Sequence, residues 1–112
     1  MLKHFHAHVY FDPFTRDTAA GVFERLTAAF PLDSRWRDAP IGPHPRPNFR
    51  VRFSTDDFGA IVPWLMLHRD GLSVLVHPDT GDRVADHTDH ALWLGERVPL
   101  DIGFLRRPDD AP

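Results

Sequence analysis

Histidines alternate with apolar residues over residues 4–11 of the sequence. One parity carries His4, His6, His8 and Tyr10, and the other carries Phe5, Ala7, Val9 and Phe11. Because successive side chains of a strand point to opposite faces, this pattern predicts a strand with one apolar face and one imidazole face. Imidazole is the commonest metal ligand in proteins and changes its charge near neutral pH. We therefore predict that His6 and His8 belong to a metal or catalytic site, whereas His4 is interpreted as a surface residue.

The composition is that of one globular domain, and it excludes several classes of function. The 112 residues are 42% hydrophobic and 26% charged, and a net charge of −3 with scattered arginines argues against nucleic-acid binding. Cysteine is absent, which excludes disulfides, thiolate metal sites and cysteine nucleophiles, so any metal would have nitrogen and oxygen ligands. No stretch has the pattern of a signal peptide or a membrane span, and together with the missing cysteines this predicts a cytoplasmic location.

The periodicity of apolar residues and the positions of proline and glycine predict six elements. In chain order they are a strand over 4–11, a helix over 16–30, a weak strand over 32–38, a strand over 48–54, a helix between Thr55 and Arg69, and a strand over 72–77. Pro63 falls inside the second helix, where it either causes a kink or marks the true start. Residues 39–47 contain four prolines and form a stiff, extended loop.

This order, βαββαβ, is that of the ferredoxin-like α+β fold, an antiparallel sheet with two helices on one face. In that fold the first and third strands are central, and the fourth lies beside the first. We predict a single domain over residues 1–112, with the ferredoxin-like core at about 1–78 and a tail rich in histidine and aspartate at 79–105. Residues 106–112 are expected to be frayed.

The tail has no strand or helix by pattern, but it ends its polar run with Leu92, Trp93 and Leu94. An apolar segment of this kind predicts that the tail folds back over the sheet and docks these side chains. His87 and His90 lie in the same segment, next to Asp86 and Asp89. The aspartates could orient the histidines as catalytic acid and base, or the group could be a hydrogen-bonded cap that holds the tail.

The sheet face opposite the helices would carry the predicted site. His6, His8 and His77 converge there, because neighbouring strands lie about 4.8 Å apart. Tyr10 and Leu75 share this face, so it must be covered, either by the tail or by a second subunit. A homodimer that stacks the open sheet faces would leave a pocket between them.

Three further side chains each have two interpretations. Arg50 and Arg52 alternate with apolar residues in the third strand, and they either pair with acidic side chains or hold a substrate carboxylate. His44 lies between two prolines of the stiff loop and is either an exposed residue of a connector or a member of the site.

The histidines allow three kinds of chemistry. A divalent metal on two or three imidazoles would leave open positions, where iron(II) suits reaction of a catechol with oxygen and zinc suits hydrolysis. Alternatively, the histidines act as acid and base without metal, or the face binds a small ligand or a metal for sensing, without catalysis. No phosphate-binding loop, serine nucleophile motif or paired carboxylates support a kinase, hydrolase or glycosidase.

Four motifs together resemble the DOPA 4,5-dioxygenase family, in its small fungal and bacterial type. They are His4–Phe11, Gly42–Pro45, His77–Asp82 and Asp86–Gly95, and the resemblance runs from about Phe5 to Leu100. The resemblance implies a ferredoxin-like domain, often dimeric, that cleaves a catechol such as L-DOPA outside the diol with non-haem Fe(II) and dioxygen. The resemblance therefore also implies a non-haem iron oxidoreductase, in which zinc or another divalent metal can occupy the site on purification.

The residues fall into three roles under this resemblance. His6, His8 and His77 would bind iron, with His44 as the first substitute, and His87 or His90 would be the base. Arg50, Arg52 and Tyr10 would contact the substrate. The alternative to this enzyme is a non-catalytic or metal-independent protein of the same fold that binds small aromatic molecules.

Overall fold

The computed structural model describes residues 1–106, whose main elements lie close to where periodicity and proline predict them. In chain order they are β1 His4–Tyr10, α1 Arg16–Ala29, β2 Asp33–Arg37, β3 Asn48–Ser54, α2 Phe58–His68, β4 Val74–Pro78, α3 Arg83–His87, β5 Leu92–Leu94 and α4 Ile102–Leu105. α2 begins five residues before Pro63 and continues through it, so the interpretation of Pro63 as the helix start was wrong. The prediction of a frayed end covers residues 106–112. Residues 107–112 lie outside the described residues.

Five antiparallel strands form one sheet in the order β2-β3-β1-β4-β5. β1 is central, with β3 on one side and β4 on the other, which is the strand order of the ferredoxin-like fold. The predicted α+β architecture is therefore confirmed. In this sheet the strand that carries the histidines, β1, is hydrogen-bonded to β3 on one side and to β4 on the other. The positions of both neighbours relative to the site are therefore fixed.

The two long helices cover one face of the sheet, as predicted. Fully buried side chains of the helices meet alternate residues of the strands: Ala19, Val22, Leu26, Ile61 and Leu65 on the helices, and Ala7, Val9, Val51, Val74 and Val76 on the strands. Burying one side chain of valine or leucine size contributes about 1.5–3 kcal/mol. This layer therefore holds the strand register, and with it the opposite face, in place. Within residues 1–106 no helix combines the length and the apolar character needed to cross a membrane.

The tail is more regular than its sequence pattern indicates. It forms α3, β5 and α4, so the prediction of a tail without strand or helix was wrong. A strand of three residues is too short to show a period, and β5 forms because the free edge of β4 supplies its hydrogen-bond partners. The strand over 72–77, the last of the six predicted elements, is thus followed by one more strand of the sheet.

The tail also folds back over the face opposite the helices, as predicted. Tyr10, Leu75 and Val98 form a second small core there, against which Trp93 packs. The rings of Trp93 and Tyr10 stack with 5.9 Å between their centroids. The predicted docking of Leu92 was wrong, since its side chain is 41% exposed. Successive side chains of a strand point to opposite faces, so Leu92 lies on the other face of β5 from Trp93.

Candidate metal centre

The pairing of β1 with β4 brings three of the predicted metal ligands together. His6 lies directly opposite His77 in this pair, and His8 is two residues further along β1. One ring nitrogen of each of these three residues lies within 4.8 Å of the other two. Imidazole binds a metal at about 2.0–2.1 Å, so nitrogens on opposite sides of an ion are about 4 Å apart. The group could therefore hold a metal ion.

Two more histidines complete the surroundings of a cavity of about 280 Å³. His44 enters from the proline-rich loop, with its ring centroid 4.0 Å from that of His8. His87 enters from α3, with its ring centroid 4.1 Å from that of His77. Carboxylates of Asp79 and Asp86 also line the cavity. Of the two interpretations of His44, this position favours membership of the site.

Hydrogen bonds to Nδ1 fix the tautomers of His8 and His77. Nδ1–H of His8 donates to Oδ1 of Asn48 at 3.1 Å, and the amide of Asn48 is oriented by its own bond to the carbonyl of Arg46. Nδ1–H of His77 donates to the carbonyl of Pro78 at 2.8 Å. A neutral imidazole carries one proton, so Nε2 of each ring presents a lone pair.

These two lone pairs face each other, because Nε2 of His8 lies 3.3 Å from Nε2 of His77. Neither nitrogen can donate in the tautomer that its other hydrogen bond requires. The contact is therefore favourable only when a cation, either a proton or a metal ion, is shared by the two nitrogens. The arrangement is unlike that of two core histidines that each have their own partner.

A proton is a poor candidate for this cation. Burial lowers the pKa of His8 well below its ordinary value, and burial together with the neighbouring His87 lowers the pKa of His77 to about 3. Burial, helped by the charge of Arg50, lowers the pKa of His6 to about 4. All three rings are neutral at physiological pH, which is the form that binds metal. The donor set thus fits a divalent metal that accepts nitrogen ligands, such as iron or zinc.

His87 brings a further free lone pair into the cavity. Its Nδ1–H donates to the carbonyl of Arg83, one helical turn earlier, at 2.7 Å, which leaves Nε2 as an acceptor. Burial lowers the pKa of His87. The ring is therefore neutral at physiological pH and can accept a proton from a molecule in the cavity.

The buried carboxylate of Asp86 does not orient His87. It accepts hydrogen bonds from the backbone N–H of Thr80 at 2.9 Å and from its hydroxyl at 2.5 Å. These bonds tie α3 to the turn after β4 and so place His87 beside His77. For Asp86, the structure supports the interpretation as a hydrogen-bonded cap of the tail.

His90 and Asp89 are exposed. Neither lines the imidazole cavity, although Asp89 borders a separate cavity together with His87. His90 borders a different cavity, beside Phe5 on the face of the sheet that the helices cover. Of the two predicted bases, the structure thus brings only His87 to the site.

Comparison with known proteins agrees with this geometry. The sequence model of the DOPA 4,5-dioxygenase family matches residues 5–104. A crystal structure of a candidate dioxygenase from Nostoc punctiforme matches with a TM-score of 0.91 and 54% identity, covering 94% of this chain and 92% of that one. The chain belongs to the DOPA 4,5-dioxygenase family. The descriptions of the family and of this structural neighbour both name a dioxygenase.

Two curated relatives are longer than this member of the family. An uncharacterised 21.2 kDa protein from Botryotinia fuckeliana is 38% identical over 116 residues, which cover 92% of this chain and 63% of that protein. A DOPA 4,5-dioxygenase from Amanita muscaria is 27% identical over 122 residues, which cover 99% of this chain and 54% of that protein. The chain therefore spans between half and two thirds of the length of these relatives.

In this member of the DOPA 4,5-dioxygenase family, Tyr10 contacts His44 and lies outside the lining of the imidazole cavity. It is 2% exposed, and its hydroxyl lies 2.7 Å from Nδ1 of His44, its hydrogen-bond partner within residues 1–106. Burial raises the pKa of Tyr10, so the phenol stays protonated, and a buried hydroxyl donates where an acceptor is available.

Donation by Tyr10 places the proton of neutral His44 on Nε2, since burial lowers the pKa of His44 to about 4. His44 therefore has an N–H donor available where His8, His77 and His87 have lone pairs. This tautomer favours His44 as a hydrogen-bond donor to a ligand over its predicted use as a substitute metal ligand.

Replacing Tyr10 by phenylalanine should lower the free energy of unfolding by about 1–3 kcal/mol, because Nδ1 of His44 loses its buried partner. Urea unfolding measures this loss, and long-range proton–nitrogen NMR spectra should show His44 leaving the pure Nε2–H tautomer. The control is a His44→Leu background, in which the same replacement should cost little because the tyrosine hydroxyl has no acceptor there. An equal loss in both backgrounds would contradict the hydrogen bond assigned to this pair.

Arg50 and Arg52 reach the site from β3, on the side of β1 away from β4. Arg52 lies opposite His6 in the β1–β3 pair, and Arg50 lies opposite His8. Arg50 forms an ion pair with Asp33 at 3.4 Å, so it has the acidic partner that one of its two interpretations predicts. Arg52 has no such ion pair within the described residues.

Sequence reasoning missed three residues around the site. Asn48 sets the tautomer of His8, and no sequence pattern marks an asparagine for that role. Arg35 and Arg37 of β2 lie beside Arg50 and Arg52 at the edge of the sheet. Their alternation in the weak strand was a visible signal, although it could not show which strand they would lie against.

Proposed function

We propose that this family member is an extradiol dioxygenase that opens the ring of a catechol such as L-DOPA with Fe(II) and dioxygen. The observation that carries the proposal is the pair of facing Nε2 lone pairs of His8 and His77 beside His6. Three neutral imidazoles with a shared need for a cation support a metal enzyme over a metal-independent binding protein. Membership of the dioxygenase family supports the choice of oxygen chemistry.

His6, His8 and His77 would hold the iron. When bound, iron(II) supplies a redox-active Lewis acid with open positions suited to a catechol and dioxygen. In the overall reaction the ring bond next to the diol breaks. Both atoms of dioxygen end in the product, one in an aldehyde and one in a carboxylate.

The other side chains of the cavity act on the substrate. His87 is neutral and has Nε2 free, so it takes a proton from a catechol hydroxyl. His44, held in the Nε2–H tautomer by Tyr10, donates a hydrogen bond to the oxygen that becomes negatively charged. Outside this cavity, Arg50 and Arg52 of β3 lie opposite His8 and His6 in the β1–β3 pair and would attract an anionic group of the substrate.

Two sequence predictions about the whole protein remain proposals. One is a homodimer through the part of the sheet face that the tail leaves open. The other is a cytoplasmic location, for which the absence of cysteine is the support, since cytosolic proteins do without disulfides.

The proposed reaction is tested with protein that carries no His-tag, stripped of metal and reloaded with Fe(II) without oxygen. Addition of L-DOPA in air should consume oxygen in a 1:1 ratio to a yellow ring-opened product, measured with an oxygen electrode and by absorbance. A His87→Gln variant should bind iron as well as the original but lose roughly 100-fold or more of the rate.

The controls separate the enzyme from its alternatives. Zinc-loaded and metal-free protein should bind the catechol without consuming oxygen. Binding of several catechols with no oxygen consumption by the iron-loaded protein would favour the binding protein. Turnover that survives complete removal of metal would favour acid–base chemistry by the histidines alone.

A further inference from the structure

Two apolar side chains line the imidazole cavity, and neither belongs to the sheet. Pro43 comes from the proline-rich loop and Leu105 from α4, whereas the other lining residues are ionisable: His6, His8, His44, His77, Asp79, Arg83, Asp86 and His87. Leu105 is 7% exposed, yet it belongs to neither of the two apolar clusters of the described residues. A leucine that is buried outside both clusters is available to contact a molecule in the cavity.

We propose that Leu105 is a specificity-determining residue of the imidazole cavity, which holds the hydrocarbon edge of the substrate ring and limits the substrate to catechols with a single ring. This inference rests on the proposed ring-opening function and deepens it. It adds to that function a residue of the tail and a limit on the size of the substrate.

The first support is the direction in which a bound ring must extend. His6, His8 and His77 are side chains of the sheet, so a diol at the metal centre directs the opposite edge of its ring away from the sheet. That edge carries only C–H groups, whose removal from water is favourable against an apolar surface. Among the residues that line the cavity, Pro43 and Leu105 offer such a surface.

The second support is the way in which α4 is held in place. The backbone N–H of Asp101, the N-cap of α4, donates to the carbonyl of Pro43 at 2.8 Å. The ring of Phe104 packs on Gly42, where a Cβ atom would lie 3.5 Å from Cε1 of the ring. The guanidinium of Arg83 lies over the same ring, 5.9 Å from its centroid. These contacts hold α4 against both the proline-rich loop and α3, so the leucine at its end keeps a fixed place in the cavity wall.

The third support is the size of the cavity, which is about 280 Å³. Pockets that enclose drug-sized ligands have about 300–1,000 Å³, so this cavity is small enough for its walls to reject an added ring. Most of those walls are polar side chains that take part in hydrogen bonds or carry charge. Leu105 is a wall whose truncation to alanine adds space without removing a polar contact.

The test compares two diols that differ by one ring, catechol and 2,3-dihydroxynaphthalene. The second ring of the naphthalene diol is fused to the edge opposite the hydroxyl groups, which is the edge assigned to Leu105. Calorimetry on the zinc-loaded protein measures both affinities without turnover, and oxygen uptake by the iron-loaded protein gives kcat/KM. The original protein should prefer catechol by about 10-fold or more, although the larger diol has more apolar surface to bury.

Substitutions show whether Leu105 causes this preference. In Leu105→Ala the ratio of the two affinities should shift by about 10-fold or more in favour of the naphthalene diol, because truncation leaves room for its second ring. Ile102→Ala is the matched control, since it truncates a half-buried residue of the same helix that lines a different cavity, and it should keep the original ratio. Circular dichroism and urea unfolding confirm that each variant is folded.

The outcomes distinguish this inference from the proposed function. Equal or tighter binding of the naphthalene diol by the original protein would overturn the role of Leu105 even if catechol is opened. A ratio that Leu105→Ala leaves unchanged, or that Ile102→Ala shifts as far, would overturn it too. A preference for catechol in calorimetry that Leu105→Ala alone abolishes supports the role even if neither diol is turned over. Failure of both diols to bind would count against it.

Discussion

In a His8→Ala variant, bound metal should fall from near one ion per chain to background. His8 is buried, its ring is fixed through Asn48, and its Nε2 is one half of the facing pair of nitrogens. Loss of an outer hydrogen-bond partner of a metal ligand costs about 10- to 100-fold in affinity, and removal of the ligand itself costs more. The variant should also lose the iron-dependent consumption of oxygen.

A graded series makes this prediction specific. Asn48→Ala should weaken metal binding by about 10- to 100-fold, because His8 is then free to change tautomer. His4→Ala, at the start of β1 and outside the three-histidine group, is the matched control and should bind as the original does. Metal content by mass spectrometry and competition with a coloured chelator measure the series. Retention of metal by His8→Ala at the original affinity would remove the basis of the proposed centre.

The second large effect should appear when the metal-free protein is acidified. The folded-state pKa is about 3 for His77 and about 4 for His6 and His44, against about 6.5 in an unfolded chain. Between these values the unfolded chain binds more protons than the folded one. The free energy of unfolding should therefore decrease as the pH falls from about 6.5 towards 4.

Each such histidine contributes a slope of about 1.4 kcal/mol per pH unit, less for the half-buried His6 because solvent screens its charge. Together they should remove several kcal/mol, a large part of the roughly 5–15 kcal/mol that a domain possesses. Urea unfolding of metal-free protein at a series of pH values measures the slope. Bound zinc should oppose the loss at mildly acidic pH, because metal and protons compete for the same nitrogens.

Two variants identify the groups responsible. His77→Asn should reduce the slope by about one proton. Leu67→Ala, which replaces an 80% exposed side chain of α2 and removes no titratable group, should leave it unchanged. A pH-independent stability between 6.5 and 4, or a slope that His77→Asn does not alter, would contradict the burial of neutral imidazoles.

The fold and the main part of the site could be predicted because the relevant patterns are long. Seven-residue strands such as β1 and β3 show their alternation clearly, and the order of elements then restricts the topology. Once β1 is central with β4 beside it, His6 must lie near His77 because adjacent strands are fixed by hydrogen bonds. The convergence of three imidazoles thus follows from local sequence and a known fold.

The rest depends on contacts that no local pattern records. His87 and His90 are three residues apart and would share a face of a longer helix, so both were equally good candidates for the base. α3 ends at His87, and the N–H of His90 bonds back to the carbonyl of Ala85, so the chain turns and carries His90 elsewhere. The path of the proline-rich loop similarly decides that His44 meets Tyr10, 34 residues away.

The two outer strands of the sheet limit how molecules of this protein can associate. β5 has three residues and covers the side of β4 that a bare ferredoxin-like domain would leave open. At the other margin β2 has five residues, DSRWR, three of which are charged. Short or charged edge strands are poor templates for hydrogen bonding to another chain, so the sheet is protected against growth into cross-β fibres. Contacts between copies should instead involve its faces.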